Sequence, residues 1–255
     1  LLNYMKNFFD DQIDLNSKRT KNIVFGKLKD ESTVYHLADI LKSHKIKFNS
    51  ISKDIVINGK KYLKDNSYIV PMNQPKRTLI EAMFYTQTKF KDSLFYDVSS
   101  WTLPLAFNIN YDYTDGLSQS NISSLIDNEV EDLIKPNGMV DNKSDYAYIF
   151  EPHDYYTQAA IYQILDKGLR VKTATRKFSI KGKDYDYGTY MIPVQSQELN
   201  SDEIYELLNE VSKEYNVNFE SHSTGITDGI DFRSNNFIIV KQPKIGLIVG
   251  DGVRS

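Results

Sequence analysis

Apolar positions in the first third of the chain follow the periods of a strand, a helix and a second strand. Residues 23–25 form a continuous apolar run that is typical of a buried strand. From about Ser32, apolar residues recur at helical spacing on one face, which predicts a helix with buried Val34, Leu37, Ala38 and Leu41. Residues 68–72 predict another strand, which Pro71 limits to an end or an edge. A further helix is predicted from about Pro75 to Tyr85, with proline in its first turn.

The same order of elements is predicted again in the second half of the chain. Residues 146–150 ("YAYIF") predict a strand, and a helix follows from an N-cap near Asp154 to Gly168. The closing helix begins with Asn200 and Glu203 at capping-box spacing. Its apolar face is predicted to consist of Ile204, Leu207, Leu208 and Val211.

Each half contains a dipeptide that is typical of a tight hairpin turn. Asn58-Gly59 separates "DIVI" from "KKYL", and Lys181-Gly182 occupies the matching place in the second half. Because both central residues of a tight hairpin turn need positive φ, these dipeptides predict a β-hairpin in each half.

The two halves also align residue by residue, which predicts an internal duplication. The offset drifts only from about 124 to about 122 positions, so two single-residue deletions align the copies. The matching positions are Leu37, Ile40 and Leu41 with Ile161, Ile164 and Leu165; Gly59 and Tyr62 with Gly182 and Tyr185; and Tyr68 and Pro71 with Tyr190 and Pro193. The predicted fold class is α/β, with two similar βαβ-hairpin-α lobes arising from this duplication.

The pattern divides the chain into five segments. Residues 1–20 predict an amphipathic helix that leaves a missing upstream domain, and 21–108 form the first lobe. The polar stretch 109–144 is predicted to be a linker or an excursion from the first lobe. Residues 145–240 form the second lobe, and 241–255 resemble the first strand and turn of a truncated downstream domain. Both ends are thus expected to continue into other domains.

Composition narrows the classes of function. The 31 basic and 34 acidic residues give a net charge of -3, which argues against nucleic acid or an anionic membrane as partner. The chain has no cysteine, which rules out disulfides and thiolate metal sites. No apolar run approaches the ~20 residues of a membrane helix, and the first residues do not have the pattern of a signal peptide.

The histidines are the main candidates for chemistry. His36 and Asp39 share one helical face and, with a distant His153, form a possible zinc site. The alternative is a solvated surface, because the apolar positions of that helix point the other way. His222 lies in the hydroxyl-rich stretch "ESHSTGITDG", which suggests either nucleophilic chemistry or an ordinary surface loop.

Two further features are candidate binding sites. Trp101, the only tryptophan, is either a ligand-gripping aromatic residue or part of a buried connector. Gly250, Gly252 and Ser255 give a G-x-G-x-x-S spacing, but the dinucleotide fingerprint requires a following helix. No catalytic, cofactor-binding or metal-binding residue is therefore assigned from the residues alone.

Four stretches together resemble a known family: "SYIVPMNQPKRTLIEAMF", "FKDSLFYDVSSWTLPLAFN", the "STGIT…GIDF" loop and "PKIGLIVGDGVRS". They look like the region after the catalytic domain in large bacterial zinc carboxypeptidases of the carboxypeptidase A type. The resemblance covers essentially the whole chain. In that family a peptidase domain comes first, a two-part α/β region follows, and a domain similar to class I glutamine amidotransferases comes last.

The resemblance implies a non-catalytic scaffold or accessory region that links those two domains. The family's zinc site uses H-x-x-E, and no histidine here is followed by glutamate at the third position. The resemblance therefore implies zinc in the upstream domain, no cofactor in this chain, neighbouring domains of the same parent as partners, and a secreted or periplasmic location. A two-lobed binding module for a small ligand or peptide is the alternative function, and a hydrolase in its own right is a third.

Overall fold

A computed structural model describes residues 1–12, 22–86, 102–247 and 249–250. The chain forms two compact units, Leu1–Pro136 (the first unit) and Asn137–Ser255 (the second unit). Trp101 and the terminal residues 251–255 lie outside the described residues.

The first unit contains short strands and helices in alternation. Its helices are α1 (Leu2–Gln12), α2 (Glu31–Ser43), α3 (Arg77–Phe84), α4 (Leu103–Ala106) and α5 (Gln119–Leu125). Its strands are β1 (Asn22–Gly26), β2 (Asn49–Ile51), β3 (Ile55–Ile57), β4 (Lys60–Tyr62), β5 (Ser67–Pro71), β6 (Asn110–Tyr113) and β7 (Ile126–Glu129).

Five of these strands form one antiparallel sheet in the order β6-β1-β5-β2-β7. Because β1 and β2 are each antiparallel to β5, they run in the same direction with β5 between them. Helix α2 connects them, which is the split β-α-β arrangement. Strands β3 and β4 form a separate hairpin.

Both faces of the first sheet are covered, which explains the continuous apolar run of β1. Ile23 and Phe25 lie in a core cluster with residues of α2 and α3. Val24 points the other way, into a cluster that contains Ile57 and Tyr62 of the hairpin. A strand buried on both faces cannot alternate apolar and polar residues, so all five residues of β1 are buried.

The second unit repeats the order of β1, α2, β2, the β3–β4 hairpin, β5 and α3, followed by two more strands. Its described residues form no helix equivalent to α1, α4 or α5. Its helices are α6 (Thr157–Asp166) and α7 (Ser201–Tyr215). Its strands are β8 (Ala147–Phe150), β9 (Lys172–Ala174), β10 (Phe178–Ile180), β11 (Lys183–Tyr185), β12 (Tyr190–Pro193), β13 (Glu220–His222) and β14 (Phe237–Ile239). The sheet order is β13-β8-β12-β9-β14, again antiparallel throughout, and β10 and β11 form the hairpin.

The core of the second unit is divided by its sheet in the same way. Tyr148 and Phe150 of β8 pack in a cluster with α6 and α7. Ala147 and Ile149 lie on the opposite face with residues of the hairpin, among them Tyr185. Each sheet therefore carries two helices on one face, α2 and α3 or α6 and α7, and its hairpin on the other. In the first unit, Leu125 at the end of α5 also packs on the hairpin face.

Both predicted hairpin turns are confirmed. Asn58 and Gly59 have φ of 50° and 78°, and Lys181 and Gly182 have φ of 52° and 80°. Two successive positive φ values are the signature of a type I′ turn, whose twist matches that of the flanking strands. Glycine in the second position accepts this backbone without a steric cost.

The predicted capping box of α7 is also confirmed. The Asn200 side chain accepts hydrogen bonds from the backbone amides of Asp202 and Glu203 at 2.9 and 3.1 Å. The Glu203 carboxylate in turn accepts from the Asn200 amide at 2.8 Å. Ile204, Leu207, Leu208 and Val211 are buried, as predicted.

The N-cap predicted at Asp154 is wrong. Helix α6 begins at Thr157 with Tyr156 at the N-cap position, where no side chain caps the helix. Asp154 contributes its backbone carbonyl, which accepts from the Thr157 amide at 3.0 Å. Its side chain lies near His153 instead, so the polar group that suggested a cap has another partner.

The predicted mixed α/β class is confirmed, and the strands that pair are antiparallel. The stretch 109–144, interpreted from the sequence as a linker or excursion, contains both edge strands of the first sheet, β6 and β7. The division between the units falls after Pro136.

Apolar side chains near both ends of the described chain are exposed. In α1, Leu2 and Tyr4 are 83% and 73% exposed. Residues 241–247 belong to no strand, and the side chains of Ile245, Leu247 and Val249 are exposed. The buried strand expected here from the sequence is therefore not formed by residues 241–247.

Candidate functional site

In the first unit, a tyrosine and a carboxylate connect the hairpin to the edge strand of the sheet. The Tyr62 hydroxyl donates to Oδ2 of Asp112 at 2.5 Å. The other carboxylate oxygen, Oδ1, accepts from the side-chain Nδ2 of Asn58 at 2.9 Å. Lys60 Nζ lies 3.2 Å from Oδ2 of Asp112 and completes the cluster. All four groups have partners, which fixes the hairpin against β6.

The second unit repeats this cluster with glutamate. The Tyr185 hydroxyl donates to Oε2 of Glu220 at 2.6 Å, and Lys183 forms an ion pair with Oε1. The Tyr185 ring stacks on Phe178, with 5.1 Å between ring centroids. The hairpin of this unit is thus held against β13 by equivalent contacts.

Electrostatics assigns both clusters a structural role. Burial, followed by the hydrogen bond to the carboxylate, raises the pKa of Tyr62 and the pKa of Tyr185. Burial alone would raise the pKa of Asp112, but hydrogen bonds from Tyr62, Asn58 and Lys60 lower it below its usual range. Tyrosines with a raised pKa stay protonated at neutral pH, so both hydroxyls remain hydrogen-bond donors and do not act as general bases.

A polar cleft of about 450 Å³ lies beside the second cluster. The residues that matter for its chemistry are Lys143, Asp145, Lys181, Gln195, Ser221 and His222. They come from the segment before β8, the hairpin turn, the end of β12 and strand β13. Ser144 shapes the wall, because its hydroxyl donates to the His222 carbonyl at 2.7 Å.

His222 is the most unusual group of the cleft. Its side chain is buried between two aromatic rings, with centroids 6.4 Å from Tyr185 and 6.2 Å from Phe232. Within the described part of the chain, neither ring nitrogen has a hydrogen-bond partner. It is therefore not paired with the hydroxyl of Ser221 or Ser223, as nucleophilic chemistry would require.

The two lysines of the cleft differ in their pairing. Lys143 Nζ lies 2.6 Å from Oδ1 of Asp202, so a carboxylate already balances its charge. Lys181 is exposed in the hairpin turn and has no carboxylate within 4 Å in the described ranges. It lies near enough to His222 to lower the pKa of that imidazole. The cleft therefore has one ammonium group with no ion-pair partner among those residues.

We expect the second unit to lose stability on mild acidification. Burial first, and then the charges of Lys181 and Lys183, lower the pKa of His222, although Glu220 and Asp141 oppose this. The unfolded chain binds the proton more readily, with a pKa of about 6.5. The contribution of neutral His222 is thus complete above about pH 6.5 and is lost as pH falls below it, by about 1.4 kcal/mol for each unit of pKa lowering.

The measurement is the free energy of urea unfolding at pH 7.5, 6.5 and 5.5, monitored through a spectroscopic signal that arises in the second unit. His222→Asn removes the titration and should flatten the dependence of the unfolding free energy on pH. Equal dependence in the wild type and in His222→Asn would contradict the assignment to His222.

The residues proposed from the sequence as a zinc site lie in different units. His36 is half-buried on α2 with its ring edge against Tyr35, and Asp39 is exposed on the same helix. His153 belongs to the second unit, where Nδ1 lies 3.7 Å from Glu151 and Nε2 lies 3.5 Å from Asp154. Over the ranges that the structure describes, no three histidine or carboxylate side chains form a group suited to a metal ion.

Sequence reasoning identified His222 as a candidate but missed its neighbours in space. Lys181 was recognised only as a turn residue, and the bonds of Tyr62 and Tyr185 to carboxylates were not foreseen. The alignment of Tyr62 with Tyr185 was the available signal, since a tyrosine kept at the same place in both halves points to a shared contact.

The chain matches no protein-family model, no curated protein and no solved structure. No helix among the described residues combines the length and apolar character needed to cross a membrane.

Proposed function

We propose that this chain is a non-catalytic accessory region of a zinc carboxypeptidase-like protein, which connects a peptidase domain to an amidotransferase-like domain. The resemblance described above supplies this hypothesis, together with zinc in the upstream domain and a secreted or periplasmic location. The proposed partners are the neighbouring domains of the same parent chain.

The observation that carries the proposal is the exposed apolar surface near both ends of the described chain. Ile245, Leu247 and Val249 are 89%, 85% and 76% exposed at every second position. In the sequence, residues 245–249 ("IGLIV") form a near-continuous apolar run, which is typical of a strand buried on both faces within a larger sheet. Exposed contiguous apolar surface marks contact sites in soluble proteins. We propose that residues 241–250 pack within the downstream domain and that α1 packs on the upstream one.

We also propose that the two units arose by duplication. Equivalent glutamines support this, because they make the same bonds in both units. Gln74 bridges the amide and carbonyl of Lys47, each at 2.9 Å. Gln197 bridges the amide and carbonyl of Arg170 at 2.9 and 3.0 Å. The shared strand order and hairpin turns support the same origin.

Hydrogen exchange tests the accessory role. We expect residues 241–247 of the 255-residue chain to exchange rapidly, and at least about tenfold more slowly in a longer natural chain with both flanking domains. Leu247→Asn should remove this protection in the longer chain, while the matched variant Lys241→Asn should not. Equal exchange in the two chains would contradict the proposed packing.

Metal content and activity test the non-catalytic part of the proposal. The purified 255-residue chain is expected to hold much less than one zinc per molecule after dialysis, and to release no C-terminal amino acid from peptides. One zinc per chain, or peptide hydrolysis by this chain, would overturn the proposal.

A further inference from the structure

A buried imidazole with two unpaired nitrogens requires an explanation. More than about 90% of buried polar groups in native proteins have a hydrogen-bond partner. Each one left without a partner lowers stability, because it has lost its hydrogen bonds to water without replacing them. His222 leaves both ring nitrogens in this state within the described residues. A bound ion or a role in the chemistry of a site is among the explanations for such a group in a native protein.

In the first unit, the residue equivalent to His222 is Thr114, and its side chain has hydrogen-bond partners within the fold. Thr114 follows β6 as His222 ends β13, and each lies opposite the first residue of the adjacent strand, β1 or β8. Thr114 Oγ1 accepts hydrogen bonds from the amide and the side chain of Asn22 at 3.3 and 3.4 Å. In the second unit the opposite residue is Ala147, which offers no polar side-chain group. The unpaired state is therefore particular to the second unit.

The first residues of the two hairpin turns also differ in whether they have a partner within their own unit. Asn58 in the first unit uses its amide to bind Asp112. Lys181 at the matching turn position lines the cleft, and the nearby Glu220 is already paired with Lys183. Two positions that are internally satisfied in the first unit are thus occupied in the second unit by a lysine and a histidine that both line one cleft.

We propose that this cleft binds a small oxyanion, a carboxylate or a phosphate group, between Lys181 and His222. The ammonium of Lys181 supplies charge, and the imidazole supplies a buried N–H donor, so both make charge-assisted hydrogen bonds to anionic oxygen. Both ring nitrogens are covered by neighbouring atoms in this structure. Binding therefore requires the imidazole to turn towards the cleft. This site is independent of the accessory function proposed above.

Binding should be coupled to proton uptake. The charged groups around His222 are Lys181 and Lys183, which oppose protonation, and Glu220 and Asp141, which favour it. An anion beside the ring adds a negative charge and shifts this balance towards the imidazolium form. Anion affinity is therefore expected to rise as pH falls from 7.5 to 6.

The test is a titration of the full 255-residue chain with inorganic phosphate at constant ionic strength, followed by the proton resonances of its 4 histidines. His222→Asn identifies the His222 signal. We expect that signal to shift saturably, with a dissociation constant of about 1–10 mM, as a few charge-assisted bonds provide. A parallel titration with acetate distinguishes the sources: saturation by phosphate alone identifies a phosphate group, and saturation by both identifies a carboxylate-sized site.

Lys181→Asn, which copies the residue of the first unit, should weaken phosphate binding about tenfold. The matched control, Lys241→Asn, removes an exposed lysine outside the cleft and should bind as the wild type does. The proposal is overturned if neither anion shifts the His222 signal saturably up to about 100 mM, or if Lys181→Asn binds phosphate as tightly as the wild type.

A double variant tests the role of His222 separately from that of Lys181. The double substitution Ala147→Asn with His222→Thr copies the satisfied Asn22–Thr114 pair. Phosphate should raise the Tm of the wild type by mass action and leave the Tm of the double variant unchanged. An equal rise in both proteins would show that phosphate binds elsewhere and would overturn the assignment to His222.

Discussion

Gly138→Ala is expected to destabilise the second unit by about 3 kcal/mol or more, at the upper end of overpacking effects. A β-carbon at Gly138 would lie 2.3 Å from the carbonyl oxygen of Val217 and 2.5 Å from its amide nitrogen. It would also lie 2.7 Å from the carbonyl oxygen of Ser212. All three are backbone atoms, so no side-chain rotation can relieve the contact.

The backbone around this contact is fixed by the end of α7. Asn216 ends the helix in the left-handed region with φ of 51°, and the Val217 amide donates back to the Ser212 carbonyl at 3.3 Å. Moving Val217 away from a methyl group at residue 138 would break this helix end. It would also displace the fully buried side chain of Val217 from the core. The substitution is therefore expected to lower the free energy of unfolding of the whole second unit.

Urea unfolding of Gly138→Ala measures this cost against Gly246→Ala. A β-carbon at Gly246 would meet no atom within 4 Å, so that variant should change the unfolding free energy by less than about 1 kcal/mol. If the two variants unfold at the same urea concentration, the close approach of residues 138 and 217 does not exist in the protein.

Local features of the fold could be predicted from the sequence because their causes are local. The Asn58-Gly59 turn needs only two residues that accept positive φ, and the capping box of α7 needs only Asn200 and Glu203 three positions apart. The buried face of α7 follows from helical spacing alone. Each of these signals is complete within a few residues, and here the folded unit keeps the local geometry that the signal favours.

The strand order could not be predicted in this way. A strand, a helix and a second strand suggest a parallel pair, but β5 lies between β1 and β2 and β12 lies between β8 and β9. The edge strand β6 has the sequence "NYDY", whose residues are all half-buried, and no apolar period marks it. Such strands are defined by the sheet they join and not by their own sequence.

The candidate site depends even more on distant residues. The stretch around His222 is rich in hydroxyl groups and resembles an exposed loop, yet the ring is buried. Its cover comes from Tyr185 and Phe232, and Lys181 reaches the cleft only because the hairpin folds onto the sheet. A single sequence contains these residues but not their proximity.

Phe150→Ala is expected to destabilise the second unit by about 3–5 kcal/mol, the usual cost of a large cavity in a core. The Phe150 side chain is fully buried on the helix side of the sheet. Its ring packs against Phe219 and Tyr190, with ring centroids 4.9 and 5.1 Å apart. Truncation removes contacts with β12 and with the segment before β13 at once. Since single domains are stable by about 5–15 kcal/mol, this loss is a large fraction of the total.

Amide hydrogen exchange in β8 and β12 measures the loss, because these central strands should open only when the unit unfolds. Phe150→Leu keeps most of the volume and should cost less than about 1.5 kcal/mol. Tyr187→Ala is a surface control, since Tyr187 is 64% exposed and its loss should change stability by less than about 0.5 kcal/mol. If Phe150→Ala were no more destabilising than Phe150→Leu, the stability of this unit would not rest on the aromatic cluster between its sheet and helices. The hairpin face around Tyr185 would then carry it, and the cleft beside His222 would lie against the more stable half of the core.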